Sequence, residues 1–124
     1  MAEVAKKVLI VEDEKPLARA LELKLTRSGF QTKTVYDGAA ALQAVSDEKF
    51  DLILLDLVMP KMDGFTVLEA LKSHNIRTPV VVATNLSQEE DLKRVKALGA
   101  VDYFVKSDVP INAIVERIRK ALGT

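Results

Sequence analysis

Apolar residues fall along this chain in two alternating rhythms. Five short runs, at residues 7–12, 31–35, 51–56, 79–84 and 101–105, read as strands. Most are rich in Val, Ile and Leu without polar alternation, which suits parallel strands covered on both faces. Between them the apolar spacing opens to helical periods. Leu17, Leu21 and Leu25 mark a first helix, with Pro16 suited to its first position and Gly29 to its stop. Asp37 is placed to cap a second helix running through the alanines to Val45. Phe65, Leu68 and Leu71 mark a third, with Asp63 as its cap. Leu92, Val95 and Leu98 mark a fourth, which Ser87 and Glu90 would open as a capping box and Gly99 would end. Ile111, Ile114, Ile118 and Leu122 mark a fifth, followed by Gly123. The sum is an α/β chain of (βα)5 type: a doubly wound, five-stranded parallel sheet with helices on both faces. Right-handed crossovers leave few topologies for it.

Composition narrows the function. A chain of 124 residues, 48% of them apolar, fits one domain, residues 1–124, with one real core. Lys plus Arg equals Asp plus Glu at 18 each, and no basic cluster stands out, so direct nucleic-acid binding is not expected. With no cysteine there is neither a disulfide framework nor a thiolate metal site. The single histidine, His74, lies in a polar Ser-His-Asn segment and reads as a solvated loop residue. The apolar VLIV run near the N-terminus is too short for a signal peptide or a membrane span. A soluble, cytoplasmic protein with no membrane partner is the expectation.

Candidate chemistry collects at one edge. Open parallel sheets bind ligands beyond the carboxyl ends of their strands. There the first predicted strand delivers Glu12, Asp13 and Glu14, the third Asp56, the fourth Thr84 and the fifth Lys106. Asp56 ends a wholly apolar run, and a buried charge is costly unless it is paired or binds a metal. Crowded carboxylates raise one another's pKa, and a divalent cation relieves this. Mg2+ takes hard oxygen ligands and is often shared between carboxylates and a phosphate. Lys106 supplies a counter-charge for such a phosphate and Thr84 a hydroxyl donor. An aspartate can itself accept a phosphoryl group.

The motifs VLIVEDE (Val8 to Glu14), LLDLVMPKMDG (Leu54 to Gly64), VVVATN (Val80 to Asn85) and ALGAVDYFVK (Ala97 to Lys106) together resemble the receiver domains of bacterial two-component response regulators. The likeness covers essentially the whole chain. It implies a flavodoxin-like fold with strand order 2-1-3-4-5. It implies Asp56 as phosphoacceptor and Thr84 and Lys106 as the groups that bind the phosphoryl. Asp13, Asp56 and the Val58 backbone carbonyl would bind Mg2+ directly, and Glu12 would do so through water. Tyr103 would change rotamer on activation, altering the surface made by the fourth helix, fifth strand and fifth helix. A histidine kinase or phosphotransfer protein would donate, and a downstream protein target or output domain would respond. A monomer is expected, with a phosphorylation-dependent dimer open; Asp102 with Arg117 or Arg119 could pair across one.

Three features set the chain apart from the commonest receiver. Ser107 stands where proline usually follows the lysine in a cis peptide, so a trans bond, or a strained one, and a shifted loop before the fifth helix are expected. Asn85 stands where a small residue is usual, and it would narrow the site or hydrogen-bond to the phosphate. Val58 and Leu86 flank the site and are apolar, so neither orients an attacking water and slow loss of phosphate is expected. Pro60 would fix the turn after Asp56, Met62 would pack, and Gly64 would let the chain bend. Two other classes compete. A phosphohydrolase of the haloacid-dehalogenase kind would want an acid two residues after Asp56, where Val58 stands. A degenerate receiver used only as a binding module would not need Asp13, Asp56, Thr84 and Lys106 intact. A flavin carrier would want a hydroxyl- and glycine-rich phosphate loop after the first strand, and there is none. The 124 residues end soon after the fifth predicted helix, so a stand-alone receiver and a piece of a longer regulator are both open.

Overall fold

All five apolar runs become strands, and the helices fall between them. The computed structural model describes residues 5–123. Its elements are β1 (Lys7–Val11), α1 (Lys15–Arg27), β2 (Gln31–Val35), α2 (Gly38–Asp47), β3 (Leu52–Leu55), α3 (Gly64–Ser73), β4 (Val80–Thr84), α4 (Glu89–Ala97), β5 (Asp102–Val105), a 3-10 turn (Lys106–Asp108) and α5 (Ile111–Leu122). The strands pair in parallel in the order β2-β1-β3-β4-β5. This is the doubly wound arrangement expected, with the expected order.

Strand side chains alternate between faces, and the two cores follow that period of two. On one face Leu9, Val11, Ile53, Leu55 and Val82 pack with Ala41, Leu68, Leu71 and Val95 of α2, α3 and α4. On the other, Val8, Ile10, Leu52, Leu54 and Val81 pack with Leu21, Leu25, Ile114 and Ile118 of α1 and α5. The central strands β3 and β4 are buried throughout, while β2 at the edge carries Gln31, Thr32, Lys33 and Thr34 and is half exposed. The polar residues thus sit where the sheet meets water.

Helix ends show where local chemistry decides. Asp37 accepts the Ala40 N–H at 2.8 Å, and Asp63 accepts the Thr66 N–H at 2.9 Å, as expected of N-caps. The capping box expected at Ser87 and Glu90 does not form. Gln88 is the N-cap of α4 and makes no side-chain cap bond. Instead Glu89, Glu90 and Asp91 crowd the first turn, where the helix dipole favours negative charge. Pro16 lies one position further in than expected, because Lys15 opens α1. His74 follows α3 directly; it is exposed, and its ring Nδ1 bonds the Ala70 carbonyl at 2.7 Å.

Candidate functional site

β1 and β3 lie side by side, with Val11 opposite Leu55. Glu12 and Asp56, the next residues of each strand, therefore reach the same edge together. Their backbones stay tied there, since the Asp56 N–H donates to the Val11 carbonyl at 3.0 Å. Glu12, Asp13 and Asp56 offer carboxylate oxygens all within 4.8 Å of one another. Glu12 and Asp56 are only 2% and 4% exposed, so two carboxylates face each other almost out of water.

Lys106 offsets them. It leaves the end of β5, and its Nζ lies 2.8 Å from Glu12 and 3.2 Å from Asp56. The Leu57 N–H donates to Asp56 Oδ1 at 2.8 Å, with the Val58 N–H at 3.4 Å. Glu12 also accepts the Glu14 N–H at 3.1 Å. Burial pushes the Glu12 carboxyl up to about 7, against the hydrogen bond from Lys106 that pulls it down. Burial also raises the Asp56 carboxyl, with the charge and hydrogen bond of Lys106 opposing. For Lys106, burial alone would lower the ammonium; its bond to Glu12 and the charges of Asp56 and Glu12 outweigh this and raise it.

A cleft of about 260 Å³ opens above this cluster. Asp13, Asp56, Val58 and Lys106 line it, together with Glu14, Asn85 and Leu86. Thr84 lies behind the lining, fully buried, and its Oγ1 accepts the Leu86 N–H at 3.2 Å. Tyr103 stands apart, half buried on β5 against the core beneath α3 and α4. Asp102 and Arg117, offered by the sequence as a pair across a dimer, bond within one chain: Arg117 bonds both Asp102 oxygens at 3.1 Å and the Tyr103 carbonyl at 3.0 Å. Arg119 bonds Glu116 and the Ser28 carbonyl of the same chain.

The loop after Asp56 holds two surprises. Met62 packs on the core as expected. The strained residue, however, is Lys61, whose φ of 69° lets the Met62 N–H reach the Pro60 carbonyl at 2.8 Å in a γ-turn. Gly64 is not needed for backbone bending. A Cβ there would lie 2.4 Å from the Asp56 carbonyl oxygen and 2.7 Å from Leu57 Cα, so glycine is required by close approach. The Lys106–Ser107 bond is trans, no cis peptide occurring among the described residues, and the chain enters its 3-10 turn there. Sequence reading missed the bond from the Ser107 N–H to Asn85 Oδ1 at 3.2 Å, which joins two of the departures.

Residues 8–119 match the response regulator receiver domain family. The chain is a response regulator receiver domain. It is 38% identical over 115 residues to the alkaline phosphatase synthesis transcriptional regulatory protein PhoP of Bacillus subtilis, covering 91% of this chain and 48% of that protein. It is 37% identical to the response regulator ArlR of Staphylococcus aureus, covering 93% of this chain and 52% of that one. The receiver thus spans about half the length of these relatives. Among solved structures, the Francisella response regulator 1452 receiver domain superposes with a TM-score of 0.88 at 30% identity, covering 95% of this chain and 97% of that one. Phosphorylation-dependent switching is the general function of the family. Among the receiver's described residues, no helix is long and apolar enough to cross a membrane.

The raised Glu12 carboxyl gives this receiver a testable pH dependence. An ordinary glutamate loses its proton near 4.5, and folded Glu12 keeps its proton to about 7. The folded state therefore binds more protons between those values, and stability falls as pH rises through them. Asp56, also raised, acts in the same direction. Metal-free protein is expected to lose on the order of 2 kcal/mol between about pH 5.5 and pH 7.5, and Glu12→Gln to flatten the slope. Urea unfolding at the two pH values checks this; stability that rises toward pH 7.5 would contradict it.

Proposed function

We propose that this receiver takes a phosphoryl group on Asp56 from a histidine kinase or phosphotransfer protein and passes the signal on by protein contact. The observation that carries the reading is Asp56 itself. It is a buried carboxylate, held by backbone N–H groups and by Lys106, at the floor of an open cleft. A carboxylate oxygen of Asp56 attacks phosphorus, the bond from phosphorus to the donor's nitrogen or acyl oxygen breaks, and the donor leaves with that electron pair. The product is an aspartyl phosphate. Lys106, already beside Asp56, neutralises the charge that spreads over the phosphoryl oxygens. Phosphorylation would draw on Thr84 as a second donor, since its Oγ1 accepts the Leu86 N–H and still has its O–H to give.

The donor set fits Mg2+: three hard carboxylates within reach of one another and no sulfur. Asp13, half buried and lining the cleft, and Asp56 would hold it with the Val58 carbonyl. Glu12, deeper and engaged by Lys106, would act through water. The bound cation would supply charge neutralisation between the carboxylates and the incoming phosphoryl group. Val58 and Leu86 offer no polar side chain for an attacking water, which supports slow self-dephosphorylation.

The response surface is read as α4-β5-α5. Val95 is the one residue of α4 that is buried, so little apolar contact fixes that helix. Movement of the Thr84 side chain toward the phosphoryl group would stretch its bond from the Leu86 N–H and loosen the loop that leads into α4, and Tyr103 beneath would turn inward. A cytoplasmic location and a downstream protein or output domain complete the reading. Fluorine NMR with beryllofluoride tests it. Bound signals are expected only with Mg2+ and to vanish in Asp56→Asn and Asp13→Asn. Equal signals without Mg2+, or in Asp56→Asn, would overturn the reading.

A further inference from the structure

β4 and β5 part at the rim of the cleft. Their last register pair is Thr84 with Val105. Beyond it β4 runs on through Asn85 toward α4, and β5 passes into the turn that begins at Lys106. The two departing segments are tied once more, by the Ser107 N–H donating to Asn85 Oδ1 at 3.2 Å. Both residues are exposed, and Asn85 lines the cleft.

That bond sits at a sensitive place. The Ser107 nitrogen belongs to the rigid peptide unit that leaves Lys106. Fixing that plane fixes the Cα from which the long lysine stem departs. At the other end, Asn85 follows Thr84, which is fully buried and anchored in the sheet. A continuous chain of contacts therefore runs from β4 through the Asn85 amide to the Lys106–Ser107 peptide. From there it runs along the lysine to Glu12 and Asp56. With its oxygen committed to Ser107, the Asn85 amide keeps an NH2 donor beside the cleft.

We infer that Asn85 is a positioning residue for Lys106, holding the turn that carries the lysine through the backbone N–H of residue 107. The inference rests on the phosphoacceptor reading of Asp56. It explains two sequence features at once: an amide side chain directly after Thr84, and a residue after Lys106 that has an N–H to give. A proline at 107 would have none.

The test uses Asn85→Ala, Ser107→Pro, their combination and Asn85→Asp in the full 124-residue chain. Amide hydrogen exchange is read at Ser107 by NMR, and labelling by acetyl phosphate with Mg2+ is read by mass. Asn85→Ala is expected to remove protection at the Ser107 amide, while Asn85→Asp, which keeps an acceptor oxygen, retains it. Labelling is expected to slow about three- to ten-fold in Asn85→Ala, the scale of one lost hydrogen bond. In the Ser107→Pro background the same Asn85→Ala change should have no further effect, since linked residues are non-additive. Unchanged protection at Ser107 in Asn85→Ala, or losses that multiply independently, would overturn the inference. Wild-type protein that labels normally while Asn85→Ala matches its rate overturns the inference alone. Wild-type protein that takes no label overturns the phosphoacceptor reading and the inference with it.

Discussion

Lys106→Met is expected to slow labelling of Asp56 by acetyl phosphate by about 100-fold or more. Two losses combine. The ammonium at 3.2 Å from Asp56 is the fixed positive charge best placed to meet a phosphoryl oxygen, and methionine replaces it with an apolar tip. The second loss falls on the acids. Glu12 and Asp56 are already raised by burial, with Lys106 opposing the rise in each. Without it both carboxyls climb further, and a protonated Asp56 is no nucleophile. The deficit should therefore be largest at low pH and shrink as pH rises. Labelling rates from about pH 6 to pH 9, read by intact-protein mass, check both parts. A rate within about three-fold of wild type across that range would show that the lysine serves only the resting carboxylates.

Gly64→Ala is expected to cost about 2–4 kcal/mol of unfolding free energy, more than any exposed substitution. Its Cβ would sit 2.4 Å from the Asp56 carbonyl oxygen and 2.7 Å from Leu57 Cα, and neither is the movable end of a side chain. The Gly64 N–H also donates to the Leu57 carbonyl at 2.8 Å, so the start of α3 is pinned against the end of β3. Relief requires moving the backbone that carries Asp56. Gly29→Ala is the control: nothing lies within 4 Å of its Cβ, and only its φ of 99° resists alanine, at about 1 kcal/mol. Urea unfolding of the two variants separates them, and a Gly64→Ala cost below about 0.5 kcal/mol would contradict the packing account. Because Asp56 moves with the strain, labelling should fall in Gly64→Ala and not in Gly29→Ala.

Much of this fold could be read from the chain because its decisive signals are local. β1, β3 and β4 are continuous apolar runs buried on both faces, and Asp37 and Asp63 cap helices through bonds that span three residues. The meeting of Glu12, Asp56 and Lys106 followed from one rule, that parallel strands present their carboxyl ends at one edge. Periodicity says nothing about which parallel strands are neighbours, so the strand order came from the family likeness. What escaped was set by the third dimension. Gly64 is required by the Asp56 backbone above it, not by its own dihedrals. The Asn85 amide finds its partner 22 residues away, and Arg117 meets Asp102 inside one chain, where the sequence suggested a pair across a dimer. Ser87 lost its expected role because α4 begins after Gln88, leaving the first turn to its acidic residues.

The most direct test of the central claim is the intact mass of the protein after acetyl phosphate, with and without Mg2+, for wild type and Asp56→Asn. The account predicts one added phosphoryl group on the wild type, present only with Mg2+ and absent from Asp56→Asn. An equal adduct on Asp56→Asn, or no adduct on wild type with Mg2+ present, would contradict it.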